Sequence, residues 1–146
     1  MNPEFVEMLR ALLNAEVRFL IVGAYALNVH TKPRATGDLN IWVEPTPENA
    51  GKLLRALKEF GTPLGQVVEA DFECPGVTFQ IGIAPLRIDI LTKLTGIDFD
   101  DAWRSHIRYP FGPFEVPFLG KAALIRNKRA TGRPKDLLDV ESLEEC

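Results

Sequence analysis

Residues 17–29, VRFLIVGAYALNV, decide the fold because they combine three local signals. The run 17–22 is apolar, β-branched or aromatic except for Arg18, and this composition favours a strand buried on both faces. Gly23 ends the run, and residues 24–29 are rich in good helix formers. The segment therefore predicts a central strand, a glycine turn and a short helix that starts directly at the glycine.

Four further segments predict strands. Residues 38–44 (DLNIWVE) follow a loop broken by proline and glycine, and residues 87–91 (RIDIL) place one acid between two isoleucines. Shorter strands are predicted at 77–81 and 114–116. Strand-like and helical segments therefore interleave along the chain.

Apolar periodicity and capping residues predict the remaining helices. Residues 3–14 carry apolar side chains on one helical stripe. Thr46 is an N-cap before Pro47 at the first helical position, and Gly61 ends that helix. Further helices are expected at 98–106, 119–130 and 134–145, the last two forming a C-terminal helical pair.

Length and composition fit one ordinary globular domain covering residues 1–146. The chain is 46% hydrophobic and 25% charged, which is too apolar for a disordered protein. Its net charge of −3 argues against binding duplex nucleic acid mainly by bulk charge. Cys74 and Cys146 lack the number and spacing of a disulfide framework or zinc site. We expect free thiols, a cytoplasmic location and no membrane association.

Polar residues on otherwise apolar strands are the first functional signal. Asp38 and Asn40 share one face of their strand, and Asp89 lies on another strand. If those strands are neighbours, their oxygens suit Mg²⁺, and two such ions about 3.5–4 Å apart can clamp a phosphoryl group. The competing interpretation is structural, with Asp38 capping a loop and Asp89 paired with Arg87 or Lys93.

Gly23 strengthens the functional interpretation. A glycine between strand and helix lets a ligand approach the backbone closely, and the following helix N-terminus offers free N–H groups to a phosphate. A phosphate site beside a polar strand is more specific than either feature alone.

Four stretches together resemble a known superfamily: Gly23-Ala24, 34–42 (RATGDLNIW), 87–91 (RIDIL) and 127–139 (NKRATGRPKDLLD). Over nearly the whole chain, and in the same order, they resemble the DNA polymerase beta-like nucleotidyltransferases. The similarity is to the small prokaryotic branches, the minimal nucleotidyltransferases and the AbiEii-type abortive-infection toxins.

The resemblance implies a fold and an activity. The fold is α+β, with a mixed sheet flanked by helices. The resemblance further implies binding of an NTP with Mg²⁺, or alternatively Mn²⁺, and transfer of a nucleoside monophosphate to an RNA or protein acceptor. It also implies a toxin–antitoxin or phage-defence role with a cognate antitoxin or other partner protein. The oligomeric state is left open.

Site residues follow from the matched positions. Gly23 and Ala24 match the phosphate-binding turn, Asp38 and Asn40 the paired metal ligands, and Asp89 the third acid. These three polar residues are also the expected catalytic set. The positions expected to contact the nucleotide in addition to the turn are Arg34, Thr36, Lys128 and Lys135.

Two departures from the family pattern affect the prediction. Ala24 stands where serine is common, so only backbone N–H groups remain for phosphate. Asn40 stands where a second acid is common and brings no charge to a metal. The alternative is therefore a catalytically weak or inactive member that binds nucleotide or a partner protein.

The basic segment 121–135 allows two interpretations. It holds six Lys or Arg and no acid, which is typical of a solvated helix face. That interpretation is favoured for Arg126 and Arg129. In the functional interpretation Lys121, Arg133 and the two matched lysines line one wall of the nucleotide cleft or contact an RNA acceptor.

Three other polar or aromatic residues are expected to be structural. Trp42 shares the face of Asp38 and could stack on a base, but packing is the commoner role of an aromatic at a strand end. His30 and His106 fit no metal-ligand spacing and are expected at helix ends or on the surface.

Overall fold

The structure, a computed structural model, describes residues 2–65, 67–83 and 86–145. Within these ranges it has six α-helices, six strands and one 3₁₀-helix. In chain order they are α1 (Pro3–Asn14), β1 (Phe19–Val22), α2 (Gly23–His30), β2 (Leu39–Val43), α3 (Pro47–Phe60), the 3₁₀-helix (Glu69–Phe72), β3 (Thr78–Ile81), β4 (Ile88–Leu91), α4 (Phe99–Arg104), β5 (Ile107–Phe111), β6 (Phe114–Phe118), α5 (Lys121–Thr131) and α6 (Pro134–Glu145).

The described strands form one mixed sheet in the order β3-β4-β2-β1-β6-β5. β1 is antiparallel to β2 and parallel to β6, whereas β2 is parallel to β4. The edge strands β3 and β5 are antiparallel to their neighbours. The α+β prediction, with a mixed sheet flanked by helices and a C-terminal helical pair, is confirmed.

Strand direction brings three chain segments to one end of the sheet. Because β1 runs against β2 and β4, the end of β1 meets the beginnings of β2 and β4. In the register, Asn40 lies opposite Val22 on one side and Asp89 on the other. The turn at Gly23 therefore lies beside Asn40, the one polar residue of β2, and Asp38 directly precedes this strand.

The core forms around β1, whose four residues are all buried, as predicted for a central strand. α1 packs against α3 through fully buried side chains. The α1 N-terminus is capped by Asn2, whose side chain accepts from the Glu4 N–H, and α3 is capped by Thr46. α3 ends at Gly61 in the left-handed conformation, as its sequence predicted.

Two elements were not predicted from the sequence. β5 contains Arg108 and Pro110, a composition tolerated only at a sheet edge. It forms because a tight turn at Gly112 folds it onto β6, where Phe111 stacks near Phe118. The 3₁₀-helix lies in a segment without periodicity, and its buried Phe72 anchors it to the core.

The cysteines and the lengths of the helices were the subject of two further predictions. Cys74 is an exposed free thiol, and Cys146 lies outside the described residues. None of the helices in the described ranges has the length and apolar character needed to cross a membrane.

Candidate nucleotide and metal site

An open cleft of about 830 Å³ lies between the start of α2, the loop before β2, the segment after β4 and the junction of α5 with α6. Eight of the nine predicted site residues line it: Gly23, Ala24, Arg34, Thr36, Asp38, Asn40, Lys128 and Lys135. The ninth, Asp89, does not line the cleft and lies beside it on β4.

Gly23 makes the closest backbone approach in the site. Its φ is +70°, which side chains with a Cβ rarely adopt, and a Cβ there would lie 2.5 Å from Nδ2 of Asn40. α2 begins at this residue, and no side chain caps its first turn. The first N–H groups of α2 have no partners within the helix and lie at the cleft, where they can bind an anion.

The side chain of Asn40 is unsatisfied. Its Oδ1 is buried and has no hydrogen-bond partner among the described residues. Buried polar atoms are nearly always paired, so an unpaired amide oxygen at the wall of a cleft needs an explanation. An oxygen of this type can coordinate a hard cation.

Arg87 joins the two acids. Its Nε and Nη2 donate to the two carboxylate oxygens of Asp89 at 2.8 and 3.2 Å, and Nη2 lies 3.3 Å from Oδ2 of Asp38. The backbone N–H of Arg87 also donates to Oδ1 of Asp38 at 3.3 Å. The hydrogen bond to Asp89 raises the pKa of the Arg87 guanidinium, with the charges of both acids adding to it.

This network agrees in part with the structural interpretation of Asp89. Its carboxylate pairs with Arg87 through both oxygens and is 11% exposed. Lys93, the other candidate partner, instead lines the cleft. Asp38 and Asn40 therefore line the cleft, whereas Asp89 and its partner Arg87 are not among the lining residues.

These residues fit a single divalent cation. No group of three or more His, Cys, Asp or Glu side chains is gathered for a metal in the described ranges. Mg²⁺ commonly uses one or two carboxylates and takes its other ligands from phosphates and water. Asp38 and the unpaired Oδ1 of Asn40 provide such a donor set.

Lys128 and Arg34 meet at one carboxylate on the opposite wall. Nζ of Lys128 lies 3.0 Å from Oδ2 of Asp139, and Nη2 of Arg34 lies 3.1 Å from Oδ1 of the same residue. Lys128 is 12% exposed and Arg34 is 62% exposed. The shared acid ties the loop before β2 to the C-terminal helical pair and holds both cations at the cleft.

Asp136 fixes the junction of α5 and α6. Its carboxylate is fully buried and accepts from the Thr131 hydroxyl and from the backbone and guanidinium of Arg133. The Arg133 hydrogen bond is the main reason that the pKa of Asp136 lies far below its usual range. Lys128 also approaches it, at 3.7 Å.

The other basic residues of α5 lie outside the cleft. Arg126 and Arg129 make surface ion pairs with Asp101 and Glu144, which confirms the solvated-face interpretation for both. Lys121, proposed for the cleft wall, is the first residue of α5 and is not part of the cleft lining. Distance along α5 explains the difference, since the lining residues of this helix lie in its last two turns.

Sequence reasoning missed the residues that position the site. Nδ2 of Asn28 donates to the carbonyl of Arg34 at 2.7 Å, and the Arg34 N–H donates back at 3.1 Å. This pair anchors the loop before β2 to α2. A detectable signal existed for Asp136 and Asp139, because they occupy the buried positions of α6 with Val140 and Leu143.

The remaining aromatic and histidine residues are structural. Trp42 is 2% exposed and packs edge to face with Phe99, so it belongs to the core. Nε2 of His30 lies 2.9 Å from the carbonyl oxygen of Leu119. His106 contacts the carbonyl of Trp103 just after α4. Both histidines therefore lie at helix ends, as expected.

The fold is similar to that of solved nucleotidyltransferase structures. Among solved structures, the chain is similar to the lincosamide antibiotic adenylyltransferase LnuA with lincomycin bound, at 13% identity and a TM-score of 0.58, covering 99% of this chain and 96% of that one. It is also similar to a proposed nucleotidyltransferase of Thermotoga maritima, at 15% identity and a TM-score of 0.55, covering 99% and 93%. No protein-family model and no curated protein matches the sequence. The AbiEii-type branch stays a prediction.

Proposed function

We propose that this protein transfers a nucleoside monophosphate from an NTP to a hydroxyl group of an acceptor, with Mg²⁺ or Mn²⁺. The observation that carries the proposal is the juxtaposition of a free helix N-terminus at Gly23 with Asp38 and the unpaired amide oxygen of Asn40 in one cleft. This combination provides an anion site and a cation site side by side, as a metal-bound triphosphate requires.

Each part of the cleft has a role in the reaction. The first N–H groups of α2 bind phosphate oxygens, and Asp38 with Asn40 holds the cation. When bound, the cation neutralises charge on the triphosphate and polarises the phosphorus. Lys128 and Arg34, held by Asp139, offer positive charge on the opposite wall, and Thr36 and Lys135 complete the nucleotide contacts.

The reaction balances as a single substitution at phosphorus. The acceptor oxygen forms a bond to the α-phosphorus, the bond from that phosphorus to the bridging oxygen breaks, and pyrophosphate leaves. The acceptor proton passes to a base or to water, and the candidate base is Asp89, which lies opposite Asn40 in the register of β2 and β4.

The proposal includes two classes of acceptor. The sequence resemblance favours an RNA or protein acceptor in a toxin–antitoxin or phage-defence system, with a cognate antitoxin as partner. The similarity to a lincosamide adenylyltransferase adds small hydroxylated molecules as a second class.

A second candidate function is nucleotide or partner binding without turnover. Two observations favour it. Asn40 brings no charge to the metal, and both oxygens of Asp89 are hydrogen-bonded to Arg87.

The test is incubation with each of the four α-³²P-labelled NTPs, Mg²⁺ and, in separate reactions, total RNA, cell lysate and lincomycin. Asp38→Asn should abolish labelling, and Asp100→Asn, which changes an exposed acid on α4, should leave it unchanged. Asn40→Asp should increase labelling. Nucleotide binding without labelling by either the parent chain or Asn40→Asp would favour the non-catalytic function, and labelling that survives Asp38→Asn would contradict the site.

A further inference from the structure

Arg87 holds the position between the two acids of the site. Its guanidinium binds both oxygens of Asp89 and approaches Asp38 within 3.3 Å, so one cation already bridges the two carboxylates. From the sequence alone, Arg87 was expected only as a structural partner of Asp89. The geometry gives it a larger role.

We propose that Arg87 is a built-in cation of the site and limits it to one divalent ion, the one that enters with the triphosphate between Asp38 and Asn40. This inference rests on the proposed function. It assigns to a side chain of this protein the neutralising role that a second metal ion would otherwise have.

The hydrogen-bond geometry supports a fixed position for the guanidinium. Two parallel N–H groups on one carboxylate form a bidentate pair, which is stronger and more directional than a single contact. Asp89 is 11% exposed and Arg87 is 29% exposed, so solvent screens the pair less than an ordinary surface ion pair. The backbone N–H of the same residue donates to Asp38, which fixes the spacing of the two acids.

The charge of the site supports a single divalent ion. Two carboxylates and one guanidinium leave one net negative charge next to the cleft. Asn40, which faces Asp89 across the register, adds none. A second divalent ion would need the carboxylate oxygens of Asp89, but these already accept hydrogen bonds from Arg87. The ion would also lie next to the positive charge of the Arg87 guanidinium.

The experiment measures Mn²⁺ binding directly by electron paramagnetic resonance, with and without the non-hydrolysable α,β-methylene analogue of ATP. The parent chain should bind one Mn²⁺ per chain with the analogue. Arg87→Gln should raise the affinity for Mn²⁺ alone by about tenfold or more, because a positive charge next to the ion is removed. With the analogue it should bind two Mn²⁺ per chain.

Two control variants separate charge from damage to the fold. Arg87→Lys keeps the charge and should retain one Mn²⁺ per chain with an affinity close to that of the parent. Arg108→Gln removes an arginine from β5, where it pairs with Glu115, and should leave Mn²⁺ binding unchanged. Thermal melts establish that each variant is folded.

Four outcomes would overturn the inference. Two Mn²⁺ bound by the parent chain, or an unchanged affinity in folded Arg87→Gln, would refute the role of Arg87 and leave the transferase proposal standing. Loss of Mn²⁺ binding in a folded Arg87→Gln variant would show that Arg87 organises the metal ligands and does not compete with the metal. Absence of both Mn²⁺ and nucleotide binding in every variant would refute the transferase proposal as well.

Discussion

Replacing Asp136 by asparagine tests how the C-terminal helical pair is held against the cleft. The substitution keeps the size of the side chain and removes its charge. Oδ2 accepts three hydrogen bonds, from the Thr131 hydroxyl at 2.8 Å and from the backbone and Nε of Arg133 at 3.2 and 2.7 Å. Oδ1 accepts one from Nη2 of Arg133 at 3.3 Å and faces Lys128 at 3.7 Å.

The expected loss of unfolding free energy depends on which contacts of the carboxylate an amide can still make. If its oxygen takes the place of Oδ2, the three acceptor contacts survive, but the NH₂ group then faces the guanidinium of Arg133 and the ammonium of Lys128. Arg133 is 65% exposed and its guanidinium can be solvated instead, so the lost contact with Arg133 contributes little to the cost of the substitution. Lys128 is 12% exposed and keeps its ion pair with Asp139. Losing charge-assisted bonds in a buried network costs about 2–4 kcal/mol.

Urea unfolding followed by circular dichroism measures this cost. The variant should stay folded, because single domains are stable by about 5–15 kcal/mol, and its m-value should not change. Glu144→Gln is the matched control, since Glu144 is 53% exposed and pairs only on the surface with Arg129; its cost should stay below about 0.5 kcal/mol. Equal losses in the two variants would refute the structural role assigned to Asp136.

The other predictions concern pH, the glycine turn and the amide of the metal site. The pKa of Asp136 is depressed in the folded state, so the stabilisation of the fold by this carboxylate is present above pH ~4 and is lost as the pH falls below that value. The difference in unfolding free energy between the parent chain and Asp136→Asn should therefore shrink from pH 6 to pH 2.5. A constant difference would contradict the depressed pKa of Asp136. Gly23→Ala should cost about 2–4 kcal/mol in urea unfolding, from left-handed strain and the contact with Asn40, whereas Gly61→Ala, with φ +90° and open space, should cost about 1 kcal/mol. In an Asn40→Ala background the cost of Gly23→Ala should fall to that of the control, and persistence of the full cost would show that the contact is not its cause. Without metal, the Asn40→Asp variant should melt about 3 °C lower than the parent chain, because its carboxylates repel one another. Mg²⁺ should raise the melting temperature of the variant more than that of the parent. Equal increases in melting temperature with Mg²⁺ would count against Asn40 as a metal ligand.

The parts of the fold that depend on local signals were predictable. Strand β1, the turn at Gly23 and α2 follow from composition over a dozen residues, and α3 follows from its cap and its terminal glycine. The neighbouring positions of Asn40 and Asp89 were expected conditionally, since polar residues on buried strands have few acceptable environments. The strand order itself, with β2 between β1 and β4, is a long-range property that no local pattern carries.

The residues that position the site were harder to predict, because their partners are distant in the sequence. Asp139 binds Arg34 across 105 positions, and the sequence marks it only as an acid on the buried stripe of α6. Asn28 binds the backbone of a loop whose path is set by the rest of the fold. β5 depends on hydrogen bonds from β6, because Pro110 and exposed polar residues give it little strand character of its own.

Asn40 and Arg87 act on the same quantity, the negative charge available to cations at the start of β2 and β4. An acid at position 40 would add one negative charge, and a neutral residue at position 87 would remove one positive charge, so each change makes the site more favourable for a second divalent ion. Because Asn40 lies opposite Asp89, which Arg87 holds, the two changes share a partner and their effects on metal affinity should not add independently. A chain that keeps both the amide and the guanidinium keeps its acids close together with little mutual repulsion. The same pairing that weakens a two-metal site therefore stabilises the empty one.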